Sequence, residues 1–186
     1  MSKRRRVSAP KDKYYQTWNF KLEQTVVSED EEFTIPCPRP LEAPPSGRYY
    51  AIELHALEYY IPYHFKATQS ASVDISISKS ARQGRTPFIT HCGDPENIFW
   101  YEQATYGEHV PPGVIPPTNE QADNHVQLTD NLGHGLLVVA ENIFVQLSSN
   151  IRVETEVTAG FKLYYTFTTV SCSEYLEELA SQIATS

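Results

Sequence analysis

Short apolar segments separated by Gly, Asn, Asp and Pro run through most of the chain, and the clearest group lies between Val126 and Leu147. Val126–Thr129, Leu136–Ala140 and Ile143–Leu147 are each four or five residues long. Segments that short do not repay helix nucleation and are predicted as strands. Asp130–Gly135 joins the first two, and Glu141-Asn142 joins the second two. Leu136–Ala140 is apolar throughout, which predicts cover on both faces. Ile143, Val145 and Leu147 alternate with Phe144, Gln146 and Ser148, the period of a half-buried strand with Phe144 as an exception on the outer face.

The same reading extends in both directions. Lys21–Val27 is predicted as the first strand, after an aromatic entry of Tyr14, Tyr15, Trp18 and Phe20. Phe33–Gly47 is Pro-rich and predicted as a connection. Arg48–Tyr63 is the longest strand. Tyr50, Ile52, Leu54 and Ala56 share one face, and the phase slips near Leu57, which predicts a β-bulge. In Ser72–Lys79, Val73, Ile75 and Ile77 face inward, with Asp74, Ser76 and Ser78 outward. Pro87–His91 and Ile98–Tyr106 flank a Cys92-Gly93-Asp94-Pro95 turn. Ile151–Val157 and Phe161–Val170 complete the strands. In Ser171–Ile183, Tyr175, Leu176, Leu179 and Ile183 recur at helical spacing behind Ser173 as candidate N-cap, which suits a short helix or an extended tail. Eight or nine antiparallel strands with almost no helix predict an all-β sandwich or barrel, and an eight-stranded antiparallel jelly roll fits the length and the long loops. An immunoglobulin-like sandwich lacks its Cys…Trp…Cys spacing.

Charge adds a second feature. Residues 1–13 hold Lys3, Arg4, Arg5, Arg6, Lys11 and Lys13 against the single Asp12, a net of +5. The chain as a whole is −8, so the other 173 residues carry −13. This divides the chain into a flexible basic N-terminal arm, 1–13, and a globular domain, 14–186. A Lys-Arg-Arg-Arg run suits contact with nucleic-acid phosphates and a nuclear import signal, and it also suits a solvated tail. Cys37, Cys92 and Cys172 are odd in number and widely spaced, which implies neither a zinc site nor a disulfide framework and favours a reducing compartment. No apolar run is long enough to span a membrane, and none follows Met1 as a secretory leader would require.

Catalytic chemistry finds little support. His55, His64, His91, His109, His125 and His134 are scattered, with no His-x-His pair, phosphate loop or nucleophile elbow. His134, between Gly133 and Gly135, reads as a loop residue. Cys92 beside His91 would point to the opposite face of a strand. Asp30, Glu31 and Glu32 with Glu29 form an acidic turn, solvated or able to hold Ca²⁺. Tyr49, Tyr50, Tyr59, Tyr60, Tyr63, Phe99, Trp100, Tyr101 and Tyr106 exceed what one core needs, so some belong to interfaces or to a base-stacking platform. No enzyme activity and no cofactor are predicted.

The loop Asp130–Gly135 followed by Leu136–Leu147 resembles a segment of the capsid proteins of small circular, Rep-encoding single-stranded DNA viruses, the circovirus-like group. So do Arg48-Tyr49-Tyr50 opening a long strand, the Cys92–Pro95 turn before Ile98-Phe99, and Lys162–Phe167 leading to Val170-Ser171-Cys172-Ser173-Glu174-Tyr175. The likeness spans residues 48–180 loosely. It departs at Asn131-Leu132, where such loops carry Gly, and in an arm that is shorter and less basic. The resemblance implies a jelly-roll coat protein that self-assembles into an icosahedral shell of about sixty copies. It implies a single-stranded DNA genome held by Lys3, Arg4, Arg5, Arg6, Lys11 and Lys13, import through Lys3–Arg6 by a host receptor, and location in the virion and the host nucleus. About 300 arm charges per shell fall far short of a kilobase genome, so binding is expected to be weak, salt-sensitive and sequence-independent. The Pro-rich Glu108–Asn124 loop is expected to supply contacts between copies. The rival readings are a cupin-like metal enzyme or a carbohydrate-binding jelly roll, and a β-sandwich adaptor that stays small.

Overall fold

The computed structural model describes residues 15–24, 30–61, 71–84, 88–89, 93–94, 96–105, 124–130, 132–149 and 157–184. Nine strands and one helix lie among them: β1 (Gln16–Glu23), β2 (Glu31–Pro36), β3 (Arg48–Tyr60), β4 (Ala71–Ser78), β5 (Asn97–Thr105), β6 (His125–Gln127), β7 (Leu136–Val138), β8 (Asn142–Ser149), β9 (Thr158–Ser171) and α1 (Cys172–Ala184).

The strands form two antiparallel sheets. The first runs β1-β9-β3, with both β6 and β7 on the far side of β3; the second runs β2-β8-β4-β5. β6 pairs with Ala56–Glu58 and β7 with Ile52–Leu54, so together they fill one strand position that a loop interrupts. Counted that way, the fold is an eight-stranded jelly roll, as the spacing of apolar segments predicts.

Period-2 alternation places the core. On β4, Val73, Ile75 and Ile77 are fully buried, and their antiparallel neighbours on β8, Leu147 and Val145, face the same way, as does Ile143. From the first sheet, Leu54, Leu57 and Leu163 meet them, with Phe161 and Tyr165 beside them. Pairing between β3 and β9 shifts register between Leu54 and Ala56. One extra residue, His55, is accommodated there, which moves Leu57 onto the inner face. The bulge sits two residues before the position where the phase slip is legible in the sequence.

Several expectations change. Phe33 and Ile35 alternate toward the core in β2, a strand hidden by the acidic residues before it and by Pro36 within a segment read as a connection. The first strand starts at Gln16, ahead of Lys21. Phe88 and Ile89 lie in a bend and not in a strand; Pro87 and residues 90–92 fall outside the described residues, as do 151–156 of the segment Ile151–Val157. The outer face of the second sheet is not solvated at its centre: Ser76, Ser78 and Gln146 are fully buried, while Thr34 and Pro36 at its edge are exposed. The C-terminal segment is a helix, capped by Ser171 and not by Ser173. The Ser171 hydroxyl accepts from the Glu174 N–H at 3.3 Å, and the Glu174 carboxylate accepts from the Ser171 N–H at 2.9 Å. This reciprocal capping box needs an acid three residues after the cap, which Ser171 has and Ser173 lacks.

The first turn of α1 covers a second small core on the outer face of the first sheet, made of Ala51, Val139 and Val170 with Leu137 and Tyr175 against them. Val138 faces the main core and Val139 this second one, so the expectation of cover on both faces of Leu136–Ala140 holds at its centre.

Gly135 lets the chain re-enter the sheet as β7. A Cβ there would collide with the Leu54 carbonyl oxygen, a backbone atom that cannot step aside. Gly135→Ala is therefore expected to destabilise the fold by about 1–3 kcal/mol, read as a lower urea midpoint at unchanged slope.

Candidate interaction surfaces

The six cations read from the sequence as nucleic-acid contacts, Lys3 to Arg6 with Lys11 and Lys13, lie outside the described residues, as do residues 108–123 of the Pro-rich Glu108–Asn124 loop. The first described residue after the cations is Tyr15. Tyr15 precedes β1, and its ring centroid lies 4.6 Å from that of His55 on the outer face of the first sheet. His55 itself is buried, its Nε2 2.9 Å from the Thr166 hydroxyl.

A cavity of about 310 Å³ opens at one end of the sandwich. The connection from β2 to β3 forms one wall with Cys37, Pro38, Arg39, Pro40, Glu42 and Pro44. The opposite wall is Tyr49, Tyr50 and Ile52 of β3, Phe167 of β9 and Tyr175 of α1. Tyr49 and Tyr175 stack, centroids 4.5 Å apart and planes 20° apart, and Tyr49 remains 42% exposed. The Tyr50 hydroxyl donates to the Ala43 carbonyl at 3.3 Å, which ties the wall to β3. Arg39 pairs with Glu141 at 2.9 Å on the rim. Burial pushes the Cys37 thiol up to about 12, so it is neutral and poorly nucleophilic at physiological pH.

A second, open depression of about 570 Å³ lies along the first sheet beside Glu58, Tyr60, His125 and Lys162. The Glu58 carboxylate accepts from the Tyr164 hydroxyl at 2.6 Å and from Lys162 Nζ at 3.2 Å. These two bonds, Tyr164 first, hold Glu58 below the usual carboxylate range. Lys162 is raised in turn by Tyr164 and Glu58. The pair is exposed, and its effect is orientation of side chains more than stability.

The centre of the second sheet's outer face meets Arg82, in the connection between β4 and β5. The Ser76 hydroxyl donates to Gln146 Oε1 at 2.7 Å, and Gln146 Nε2 is 2.9 Å from Ser78 Oγ and 3.1 Å from Glu32 Oε2. Glu32 also accepts from the Arg82 backbone N–H, and the Arg82 guanidinium meets Asp94. Part of the acidic turn thus serves as an internal clamp: Glu32 holds a loop fifty residues on, while Asp30 stays exposed and accepts from Ser148. Residue types alone do not signal this, because it depends on where a distant loop returns.

His55, His125 and His134 sit in separate places, and among the described residues no three His, Cys, Asp or Glu side chains come together as metal ligands. His134 closes its own loop. Asp130 Oδ1 accepts from the backbone N–H groups of Leu132 and His134, both at 2.8 Å, and Asp130 Oδ2 lies 2.9 Å from His134 Nδ1. The Asp130 N–H donates to the His134 carbonyl at 2.8 Å. The ring of bonds spans the break between β6 and β7, so the loop reading of His134 gains a structural role.

No family model matches the chain, and no curated protein matches it. Solved structures do. An unassembled VP1 pentamer of Washington University polyomavirus superposes with a TM-score of 0.50 at 10% identity, over 88% of this chain and 99% of that one. VP1 of Trichodysplasia spinulosa-associated polyomavirus, solved with GM1 oligosaccharide, gives 0.49 at 12% identity over 89% and 96%. VP1 of New Jersey polyomavirus gives 0.48 at 9% identity over 84% and 100%. Likeness at such identities concerns the fold alone, and the fold is the two-sheet antiparallel jelly roll.

The Asp130 carboxyl is held down at about 2, first by the side-chain bond from His134 and then by the backbone N–H of His134. Its value in the folded chain lies below its unfolded value of 3.8, so its contribution is whole above about pH 4 and is lost as pH falls through about 2. Asp130→Asn should lower the urea midpoint near neutral pH and flatten its fall in that acid window; titration of urea unfolding against pH for both proteins checks this.

Proposed function

We propose that the chain is the coat subunit of a small single-stranded DNA virus of the circovirus-like kind. Copies associate through sandwich edges and loops into a closed shell of about sixty. The basic arm faces inward and holds the genome through Lys3, Arg4, Arg5, Arg6, Lys11 and Lys13. The Lys3–Arg6 run also serves host-receptor import, so the protein acts in the nucleus during assembly and resides in the virion.

The observation that carries the reading is the strand order. Two sheets ordered β1-β9-β3-β6/β7 and β2-β8-β4-β5 make one jelly roll over nearly the whole described chain. A VP1 subunit solved as a pentamer superposes on 88% of it. The charge division supports the rest: +5 on thirteen residues suits a polyanion, while −13 on the body favours no other nucleic-acid surface.

Light scattering of the purified protein tests assembly. The coat reading expects a species in the megadalton range, since one chain is 21.1 kDa; a stable monomer or dimer under all salt conditions contradicts it.

A gel shift tests the arm. Single-stranded DNA should be retained at low salt and released as salt rises, with binding lost on deletion of residues 1–13. Equal binding by the deleted chain overturns that role.

A further inference from the structure

The cavity of about 310 Å³ opens at the β3/β7 edge of the first sheet, and exposed apolar side chains gather around its mouth. Six large apolar side chains stand exposed among the described residues: Tyr15, Leu41, Tyr49, Tyr60, Leu132 and Leu176. Three of them belong to this mouth. Tyr49 lines it, Leu41 stands between the wall residues Pro40 and Glu42, and Leu176 follows the wall residue Tyr175. Single apolar side chains on a surface are ordinary, whereas a cluster beside a cavity marks a contact surface.

Leu41 is wholly exposed, and its loop is pinned. The Cys37 N–H donates to the Glu141 carbonyl at 2.9 Å, the Arg48 N–H to the Pro45 carbonyl at 3.0 Å, and the Tyr50 hydroxyl to the Ala43 carbonyl at 3.3 Å. Pro38, Pro40, Pro44 and Pro45 fix φ along the same stretch. A side chain held out by such a loop leaves little backbone freedom to be lost on docking. The cavity beside it is large enough for a leucine. Truncating one buried leucine leaves a hole of about 150 Å³ in a core, and this cavity is about twice that. Its floor of Ile52 and Phe167 faces the main core and is apolar. The rim carries both signs: Arg39 pairs with Glu141, and Glu42 is exposed beside them. A body of −13 repels its copies, so a contact between them needs a place where opposite charges can meet. An exposed pair such as Arg39–Glu141 holds its guanidinium weakly, which leaves donors for a second carboxylate.

We propose that this mouth is a two-fold contact between two copies of the chain, in which Leu41 of each enters the cavity of the other and Arg39 of each meets Glu42 of the other. A two-fold axis does both at once, because knob and hole are adjacent on one edge and every copy carries both. The stacked rings of Tyr49 and Tyr175 flank the docked side chain, an aromatic lining of the kind found in interface cores. The contact rests on the coat reading for its purpose: it is the two-fold contact of the shell, and other surfaces supply the remaining ones.

Photo-crosslinking of the full chain tests the contact. A benzophenone amino acid replaces Leu41, and unlabelled and isotope-labelled chains are mixed before assembly and then irradiated. Mass spectrometry should find position 41 of one chain joined to the peptide carrying Tyr49 or Tyr175 of a differently labelled chain. Cross-links confined to one chain, or between chains at other surfaces, overturn the proposal. Leu41→Asp gives a second reading. Because Leu41 is wholly exposed, the urea midpoint of the dissociated chain should be unchanged. Association measured by sedimentation should weaken roughly tenfold or more. Association equal to that of the unaltered chain also overturns the proposal. These outcomes separate from those of the coat reading. Shells that form with cross-links elsewhere reject only this contact, and a cross-linked dimer that grows no larger keeps the contact and rejects the shell.

Discussion

The pairing of β3 with β9 is the constraint on which the rest of the molecule depends. These are the two longest strands, and they lie at the centre of the first sheet. β1 is registered on β9, and β6 and β7 are registered on β3, so every strand of that sheet takes its position from this pair. The bulge at His55 sets the phase. Before it, Ile52 and Leu54 face the core; after it, Leu57 does. Without that extra residue Leu57 would turn outward, and the buried face would lose one of its largest side chains, a penalty of several kcal/mol by the usual measure of core truncation. The carbonyl of His55 also receives the Leu128 N–H at 2.9 Å, which guides the chain from β6 into the Asp130 loop.

Much of this is legible in the sequence because alternation is a local signal. Val73, Ile75 and Ile77, or Ile143, Val145 and Leu147, announce one buried face each, and the slip near Leu57 announces the bulge. Three kinds of information are not local. β2 is disguised by the acidic residues before it and by Pro36, and it becomes a strand by pairing with β8, more than a hundred residues away. Gln146, Ser76 and Ser78 read as solvent-facing because polar residues on the outer face usually are. Their burial needs the loop around Arg82 and Asp94 to return over the sheet, which no neighbouring residue encodes. The helix cap went to Ser171 because a capping box is a pair of residues, and the matching acid is Glu174. The basic run in residues 1–13 is plain from charge alone, whereas the Tyr49–Tyr175 stack joins positions from β3 and α1 that only the fold brings together.

The two outer faces of the sandwich are treated differently, and this bears on how the protein meets others. The second sheet is covered at its centre by hydrogen bonds among Glu32, Arg82, Asp94 and Gln146. The price of burying such groups is the need to satisfy each one, so this face is specific and rigid where the network is complete. The first sheet is covered at one end by α1 and left with aromatic and charged side chains along the remainder, from Tyr15 to Lys162. It is also the side on which Tyr15, the first described residue, lies. The first sheet thus carries the exposed aromatic and charged side chains, and the second carries a buried polar network.

Cryo-electron microscopy of the assembled protein tests the coat account most directly, because it reads the arrangement of subunits as well as their number. The account predicts closed icosahedral shells in which fitted jelly rolls set Tyr15, the root of the arm, toward the lumen. Discrete small oligomers, or shells with Tyr15 on the exterior surface, would contradict it.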